Sequence, residues 1–169
     1  MRAPLDSRPV WPGLVAFSLS VLVALLAYAV LGRAAAAAPV LVNFPLIALF
    51  IWSLRRPWFV SPPVLFIVGL LQDLMIGAPL GVWAIAYLAA FTVARDRGAD
   101  GSGGDVGPLA ARFAALAGLA FFAAWGAGSA AIGAPAAVGA LISEGLLTIL
   151  LFPVFAWVFA RRKERSAFS

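Results

Sequence analysis

Two carboxylates lie in segments that are otherwise almost entirely apolar, and they are the residues most able to do chemistry. Asp73 belongs to the stretch GLLQDLMIGAPLG, and Glu144 follows ALIS in the last apolar segment. An acidic residue at the centre of a membrane span costs about 2.5 to 3.5 kcal/mol on insertion scales, so a retained one usually faces protein or water and has a use. The remaining acidic residues lie in polar segments: Asp6, Asp96, Asp100, Asp105 and Glu164.

The spacing around Asp73 predicts a structural use. Gly69, Asp73 and Gly77 recur every four residues and therefore share one face of a helix. Flanking glycines let a neighbouring helix approach closely and donate hydrogen bonds to the carboxylate. We therefore expect Asp73 to cap backbone donors or to bond across helices rather than to move a proton. The alternative is a carboxylate solvated near the outer surface, because the apolar run ends three residues later.

The glycines after Asp73 are predicted to form a turn. Gly77 and Gly81 have the spacing of a helix-dimerisation motif, but Pro79 and Leu80 lie between them. Proline interrupts a helix interior, and glycine adopts the left-handed backbone conformation that tight turns need. A turn into the next apolar segment is therefore the better prediction for this motif.

Glu144 is predicted to lie deeper in the membrane than Asp73. It follows Pro135 by nine residues, which places it about 13 Å into a helix and near the bilayer midplane. A stripe of small and polar residues predicts a helix-packing face, while the opposite leucines can meet lipid. We expect Glu144 to form a structural hydrogen bond, and a partner or ligand role is the alternative. The stripe consists of Ala137, Ala140, Ser143 and Thr148, and the leucines are Leu146, Leu147, Leu150 and Leu151.

A third polar position is Asn43, which we place inside the second apolar segment with Pro45. A proline within a span frees a backbone carbonyl, and a nearby asparagine can hydrogen-bond a neighbouring group. Neither residue implies chemistry by itself.

Composition excludes several classes of function. The 169 residues are 64% hydrophobic and 11% charged, and they contain neither cysteine nor histidine. Redox chemistry, zinc binding and histidine-based catalysis are therefore not expected. No nucleophile elbow or phosphate-binding loop is present, so we predict a protein that is not an enzyme and needs no cofactor. The net charge of +5 comes from clusters between apolar runs and indicates membrane topology rather than nucleic-acid binding.

The apolar runs predict an all-α integral membrane protein with six transmembrane helices in a single domain, 1–169. The first run is too long for a signal peptide and is predicted to be retained. The third and fourth runs are short, and they form either two tight spans or a partly re-entrant hairpin. A glycine-rich segment, 95–107, is predicted to be a flexible cytoplasmic loop. The predicted spans are 11–31, 36–54, 62–76, 80–94, 109–131 and 135–160.

The basic residues predict the orientation of the chain. On a six-span path, eleven of the 12 lysines and arginines fall on one side and Arg33 falls on the other. Cytoplasmic loops carry the excess of lysine and arginine, so both termini are predicted to be cytoplasmic. The eleven are Arg2, Arg8, Arg55, Arg56, Arg95, Arg97, Arg112, Arg161, Arg162, Lys163 and Arg165.

Taken together, the RRP sequence that begins at Arg55, the Asp73 stretch, Glu144, Pro153 and the basic tail resemble the bacterial rod shape-determining MreD family. The resemblance covers most of the chain, from the second span to the tail. A polar amide often follows the glutamate by four residues in that family, and Thr148 occupies the position here. The most specific element is the set Gly69, Asp73, Gly77, Pro79, Leu80 and Gly81.

The resemblance implies a noncatalytic, multi-pass scaffold of the cell-elongation machinery in the bacterial inner membrane. Its partners would be MreC and, through MreC, the MreB filament, the peptidoglycan synthase RodA and the elongation penicillin-binding transpeptidase. The implied fold is similar to the substrate-binding component of energy-coupling-factor transporters. Two rival hypotheses are a small-solute-binding component of a transporter and a proton-linked carrier that uses Asp73 and Glu144 as relay groups.

Overall fold

Helices account for all the regular structure that the computed structural model describes, which covers residues 11–34, 41–96 and 106–165. The all-α prediction is thus confirmed for these ranges. These ranges contain six α-helices and one short 3₁₀ helix. They are α1 (Trp11–Ala34), α2 (Phe44–Arg55), the 3₁₀ helix Pro57–Phe59, α3 (Pro62–Ile76), α4 (Val82–Asp96), α5 (Val106–Ile132) and α6 (Val138–Arg165).

Three of the helices are long and apolar enough to cross a membrane. These candidate spans are Trp11–Gly32, Gly107–Ile132 and Val138–Trp157. The other α-helices are apolar but shorter, and a 15-residue helix such as α3 is only about 22 Å long, against a hydrocarbon core of about 30 Å. The molecule is therefore an all-α protein with three candidate membrane spans, and six complete crossings stay a prediction.

The second helix begins later than the predicted span 36–54, of which residues 36–40 lie outside the described ranges. Asn43 caps α2, because its side-chain Oδ1 accepts a hydrogen bond of 3.1 Å from the backbone N–H of Leu46. Pro45 lies in the first turn, where a missing N–H removes no helix hydrogen bond. Pro45 therefore lies inside this helix as predicted, whereas Asn43 precedes the helix and caps it, so its predicted place inside the helix was wrong.

An aromatic cluster holds α2, α5 and α6 together. The rings of Phe113 and Phe152 are stacked with centroids 4.1 Å apart, and Phe50 meets both rings edge-on at 5.1 and 5.4 Å. Phe113 and Phe152 are completely buried. Such aromatic pairs add stabilisation beyond the area that they bury. This contact fixes the rotation of α6, so that its polar residues point towards α1 and α2.

The outer faces of α1 and α6 carry large apolar side chains that no part of the described chain covers. In both helices these side chains recur every three or four residues and therefore form one continuous face. In water such surfaces would be an aggregation hazard, whereas hydrocarbon suits them. They are Trp11, Val15, Leu19, Leu22, Val23, Leu26 and Val30 in α1, and Val138, Ile142, Leu146, Leu150, Val154 and Trp157 in α6.

The predicted loop 95–107 lies mostly outside the described residues. Helix α4 extends to Asp96 and α5 begins at Val106, so the helices on both sides reach slightly into the predicted loop. Helix α1 packs against α2 and α3, and helix α4 packs mainly against α3 and α5. Helices α3 and α4 thus pack side by side, and the Asp73 stretch forms the end of α3 and the turn into α4.

Candidate functional site

The carboxylate of Asp73 binds the start of α4. Its Oδ2 accepts a hydrogen bond of 2.8 Å from the backbone N–H of Gly81, and its Oδ1 accepts one of 3.1 Å from that of Trp83. The first N–H groups of a helix have no partner within the helix, and a negative charge beside them is stabilising. Asp73 therefore caps α4 from the last turn of α3. The capping prediction is confirmed, and the solvated alternative is wrong because Asp73 is 0% exposed.

Gly69 lets the two helices of this hairpin touch backbone to backbone. A Cβ atom at Gly69 would lie only 2.4 Å from the Cα and the N atoms of Ala84, and 2.6 Å from the carbonyl carbon of Trp83. Real Cβ atoms do not approach other atoms so closely, and no flexible side chain is available to move aside. The predicted close approach is thus confirmed at Gly69, one helical turn before Asp73.

Gly77 and Gly81 serve the turn rather than the packing. Their φ angles are +70° and +99°, in the left-handed region that favours glycine, and nothing lies within 4 Å of a Cβ built on either. Gly77 ends α3 and donates its N–H to the carbonyl oxygen of Asp73. Close helix packing at Gly77 was therefore a wrong prediction, whereas the predicted turn is confirmed. Within that turn, Pro79 accepts a hydrogen bond of 3.4 Å from Val82, and Leu80 is exposed.

Glu144 lies in a second buried site, where α6 meets α1. The hydroxyl of Tyr28 donates a hydrogen bond of 2.8 Å to Glu144 Oε1. One turn later in α6, Thr148 Oγ1 donates to the backbone carbonyl of Glu144 at 2.7 Å and accepts from the backbone N–H of Asn43 at 2.9 Å. The predicted structural hydrogen bond of Glu144 is therefore present, and Thr148 ties α6 to the start of α2.

Gln72 and Tyr87 extend this site to α3 and α4. The Tyr87 hydroxyl contacts both Gln72 Oε1 and Asn43 Oδ1, the latter at 3.0 Å. We call the set Tyr28, Asn43, Gln72, Tyr87, Glu144 and Thr148 the polar cluster; its six side chains come from four helices and from the residue that caps α2, and all are buried.

Two donors of the polar cluster are unused. Asn43 Nδ2 and Gln72 Nε2 are buried and have no hydrogen-bond partner among the described residues. A tyrosine hydroxyl carries one proton, so Tyr87 can donate to only one of the two amide oxygens that it contacts at a time. A buried donor without a partner costs about 1 to 3 kcal/mol, and such groups often mark a bound water or a ligand.

The small-residue stripe predicted for α6 is only partly buried. Ala137 and Ala140 are exposed and Ser143 is half-buried, so the prediction of one packing face through these residues was wrong. Helix α6 begins only at Val138, so Ala137 precedes it, and the first turn of the helix is largely exposed. The buried row runs further along the helix, through Glu144, Thr148, Phe152 and Ala156. Of the opposite leucines, Leu146, Leu150 and Leu151 are exposed and Leu147 is half-buried.

The sequence did not identify Tyr28, Gln72 and Tyr87 as site residues. A usable signal was present, since the chain has only two tyrosines and each lies in an apolar run. A buried tyrosine hydroxyl usually finds a polar partner, so two of them indicate a polar interior. Gln72 is adjacent to Asp73 but does not belong to the four-residue repeat of Gly69, Asp73 and Gly77, so that spacing did not reveal it.

Both carboxylates serve as hydrogen-bond acceptors in these two sites. Asp73 accepts from backbone N–H groups and Glu144 accepts from Tyr28, and no hydrogen bond joins the two carboxylates. Among the described residues, no group of three or more acidic, histidine or cysteine side chains could hold a metal ion. No family model, curated protein or solved structure matches the chain. What the protein does must therefore be argued from its residue pattern and from these two sites.

Proposed function

We propose that this chain is a noncatalytic scaffold of the bacterial cell-elongation complex, with the role of the MreD family that its sequence resembles. The observation that carries the proposal is the hydrogen bonding of Asp73. The most distinctive stretch of the sequence uses its carboxylate to join α3 to α4, at 2.8 and 3.1 Å from two backbone nitrogens. A residue that joins two helices in this way stabilises the arrangement of the helices. A scaffold binds its partners through such a fixed arrangement rather than through a reactive group.

The surface of the molecule supports the same proposal. The described part of the chain is nearly all helix, and the outer faces of α1 and α6 are apolar. A protein of this kind offers its partners mainly faces that lie in lipid, where helices associate by close packing and hydrogen bonds. The single membrane span expected of MreC is a suitable partner for such a face. We propose a multi-pass protein of the inner membrane with both termini in the cytoplasm.

Depletion of the protein in its rod-shaped host tests the proposed function. Cells that lose a scaffold of lateral-wall synthesis should become round within a few generations, and a plasmid copy should restore rods. A plasmid copy of Asp73→Ala should reach the membrane, because the substitution makes α3 more apolar, yet restore rods poorly. Cells that keep their rod shape after complete depletion would contradict the proposal.

The polar cluster favours a second candidate, the small-solute-binding component of a transporter. Ligand sites in proteins combine apolar walls with a few well-placed polar groups. Asn43 Nδ2 and Gln72 Nε2 are buried donors that find no partner in the part of the chain that the structure describes. A solute with two acceptor atoms could satisfy them. A thermal-shift screen of vitamins and other small solutes separates the candidates. A solute that stabilises the wild type but not Gln72→Leu would favour transport, and a screen without a hit would favour the scaffold.

A further inference from the structure

A cleft opens at the end of the bundle where α2 and α4 finish and α3 and α5 begin. Its volume is about 800 Å³, within the range of small-molecule sites. Apolar side chains such as Leu65 and Leu116 form its walls, and Ser53, Ser61 and Arg112 add polar groups. The cleft shares no residue with the polar cluster or with the stretch from Gly69 to Gly81, although the far ends of α3 and α4 help to line it.

The cleft lies at the basic end of the molecule. Its mouth includes Trp58, which is 65% exposed, and Arg56 stacks over the Trp58 ring at 5.6 Å from the ring centroid. Arg55 is the last residue of α2 at the same end. Tryptophan and arginine at helix ends are typical of the boundary between hydrocarbon and headgroups, where inner-leaflet lipids carry negative charge. A site here therefore meets phosphate groups and acyl chains together.

We propose that the cleft binds one anionic phospholipid. Arg112 contacts the lipid phosphate, the hydroxyl of Ser61 donates to the headgroup, and the first part of an acyl chain lies between Leu65 and Leu116. A guanidinium has five N–H donors, so Arg112 can contact a phosphate and keep another partner. Ser61 precedes α3 without making a capping hydrogen bond, so its hydroxyl is not used by the helix.

The charge and the polarity of the cleft favour an anionic lipid over a protein helix. Among the described residues that line it, Arg112 is charged and none is acidic, and Arg56 lies beside it over Trp58. The other lining residues are mostly apolar, as an acyl chain requires. This proposal depends on the molecule lying in a membrane but not on the scaffold function.

Native mass spectrometry of the purified full-length chain tests the proposal. The protein in mild detergent is titrated with phosphatidylglycerol or with phosphatidylcholine, and the singly lipid-bound species is counted. We expect phosphatidylglycerol to bind more tightly than phosphatidylcholine. Arg112→Gln should weaken phosphatidylglycerol binding by about tenfold, the effect of losing one hydrogen bond to a charged group. Ala115→Trp should also reduce binding, because Ala115 is exposed and lines the cleft.

Two variants control for charge and for bulk. Arg55→Gln removes a positive charge at the same end but outside the cleft, and Ala111→Trp adds the same bulk at an exposed alanine of α5 outside the cleft. Both should bind lipid like the wild type. Equal binding by the wild type, Arg112→Gln and Ala115→Trp would overturn the proposal, as would equal losses in the test and control variants. Equal affinity for the two lipids would overturn the anionic preference.

Discussion

The apolar segments contain two acidic residues, Asp73 and Glu144. Their partners differ, but both carboxylates accept hydrogen bonds from another helix. Asp73 accepts from backbone N–H groups, and Glu144 accepts from a tyrosine hydroxyl. In hydrocarbon every backbone polar group needs a partner within the protein, since no water replaces it. A carboxylate that satisfies the exposed start of a helix thus removes a cost of several kcal/mol. Both residues are best understood as acceptors that hold helices together.

Removal of the Asp73 carboxylate should destabilise the bundle. Asp73→Ala leaves the N–H groups of Gly81 and Trp83 without their acceptor. We expect the free energy of unfolding to fall by about 2 kcal/mol, the upper end for a lost helix cap. Unfolding by denaturing detergent in mixed micelles, followed by circular dichroism, measures the change. Asp73→Asn keeps one acceptor oxygen, so its loss of unfolding free energy should be less than half that of Asp73→Ala. Equal losses in the two variants would show that charge, rather than hydrogen bonding, matters.

The contact between Tyr28 and Glu144 should be energetically coupled. Tyr28→Phe and Glu144→Leu each remove one partner, and the double variant removes both. Each single variant leaves a buried polar group without its partner. The sum of the two single losses of unfolding free energy should therefore exceed the loss in the double variant by about 1 kcal/mol or more. The same unfolding assay provides the four free energies. Strictly additive losses would contradict the hydrogen bond of 2.8 Å between these side chains.

At the scale of elements, the hairpin of α3 and α4 combines two uses of glycine. Gly69 allows backbone contact with Ala84, whereas Gly77 and Gly81 adopt positive φ angles in the turn. The Asp73 carboxylate lies between these features and closes the hairpin. The backbone contact, the helix cap and the turn thus all come from a single stretch of sequence. This explains why that stretch is the most distinctive part of the chain.

A methyl group at Gly69 should separate the two helices. Gly69→Ala places a Cβ 2.4 Å from backbone atoms of Ala84, so α3 or α4 must shift. Overpacking of this kind typically costs about 1 to 3 kcal/mol. Gly118→Ala is the matched control, because nothing lies within 4 Å of a Cβ there and alanine favours helix by about 1 kcal/mol. We expect a lower unfolding free energy for Gly69→Ala and an unchanged or higher one for Gly118→Ala. The reverse order would contradict the close approach.

The hairpin could be predicted from sequence because its signals are local. The spacing of glycine and aspartate and the Gly/Pro turn lie within thirteen consecutive residues, and α3 has the bounds 62–76 that the apolar run predicted. The start of α2 was missed because the apolar run continues past it, while Asn43 and Pro45 favour a helix start. The polar cluster was missed because it joins residues as distant as Tyr28 and Glu144, whose proximity no local pattern encodes.

At the scale of the whole molecule, the interior is more polar than the exterior faces of α1 and α6. The polar cluster and Asp73 lie inside, while leucine, valine and isoleucine cover those two helices. This distribution suits a protein whose neighbours are lipids and other membrane helices, and the interior hydrogen bonds then define one bundle shape. If the proposed function is right, the partner recognises that shape rather than a reactive group.

The amount of MreC that copurifies with the tagged chain from its host, in mild detergent, tests the scaffold proposal most directly. The account predicts that MreC stays with the wild type and with the double variant Asp73→Asn/Glu144→Gln in comparable amounts, since both amides keep an acceptor oxygen. Asp73→Ala should retain at least about threefold less MreC than the wild type does, and a threefold change corresponds to less than about 1 kcal/mol of binding free energy. Absence of MreC from the wild-type preparation, or its retention by Asp73→Ala at the wild-type level, would contradict the account.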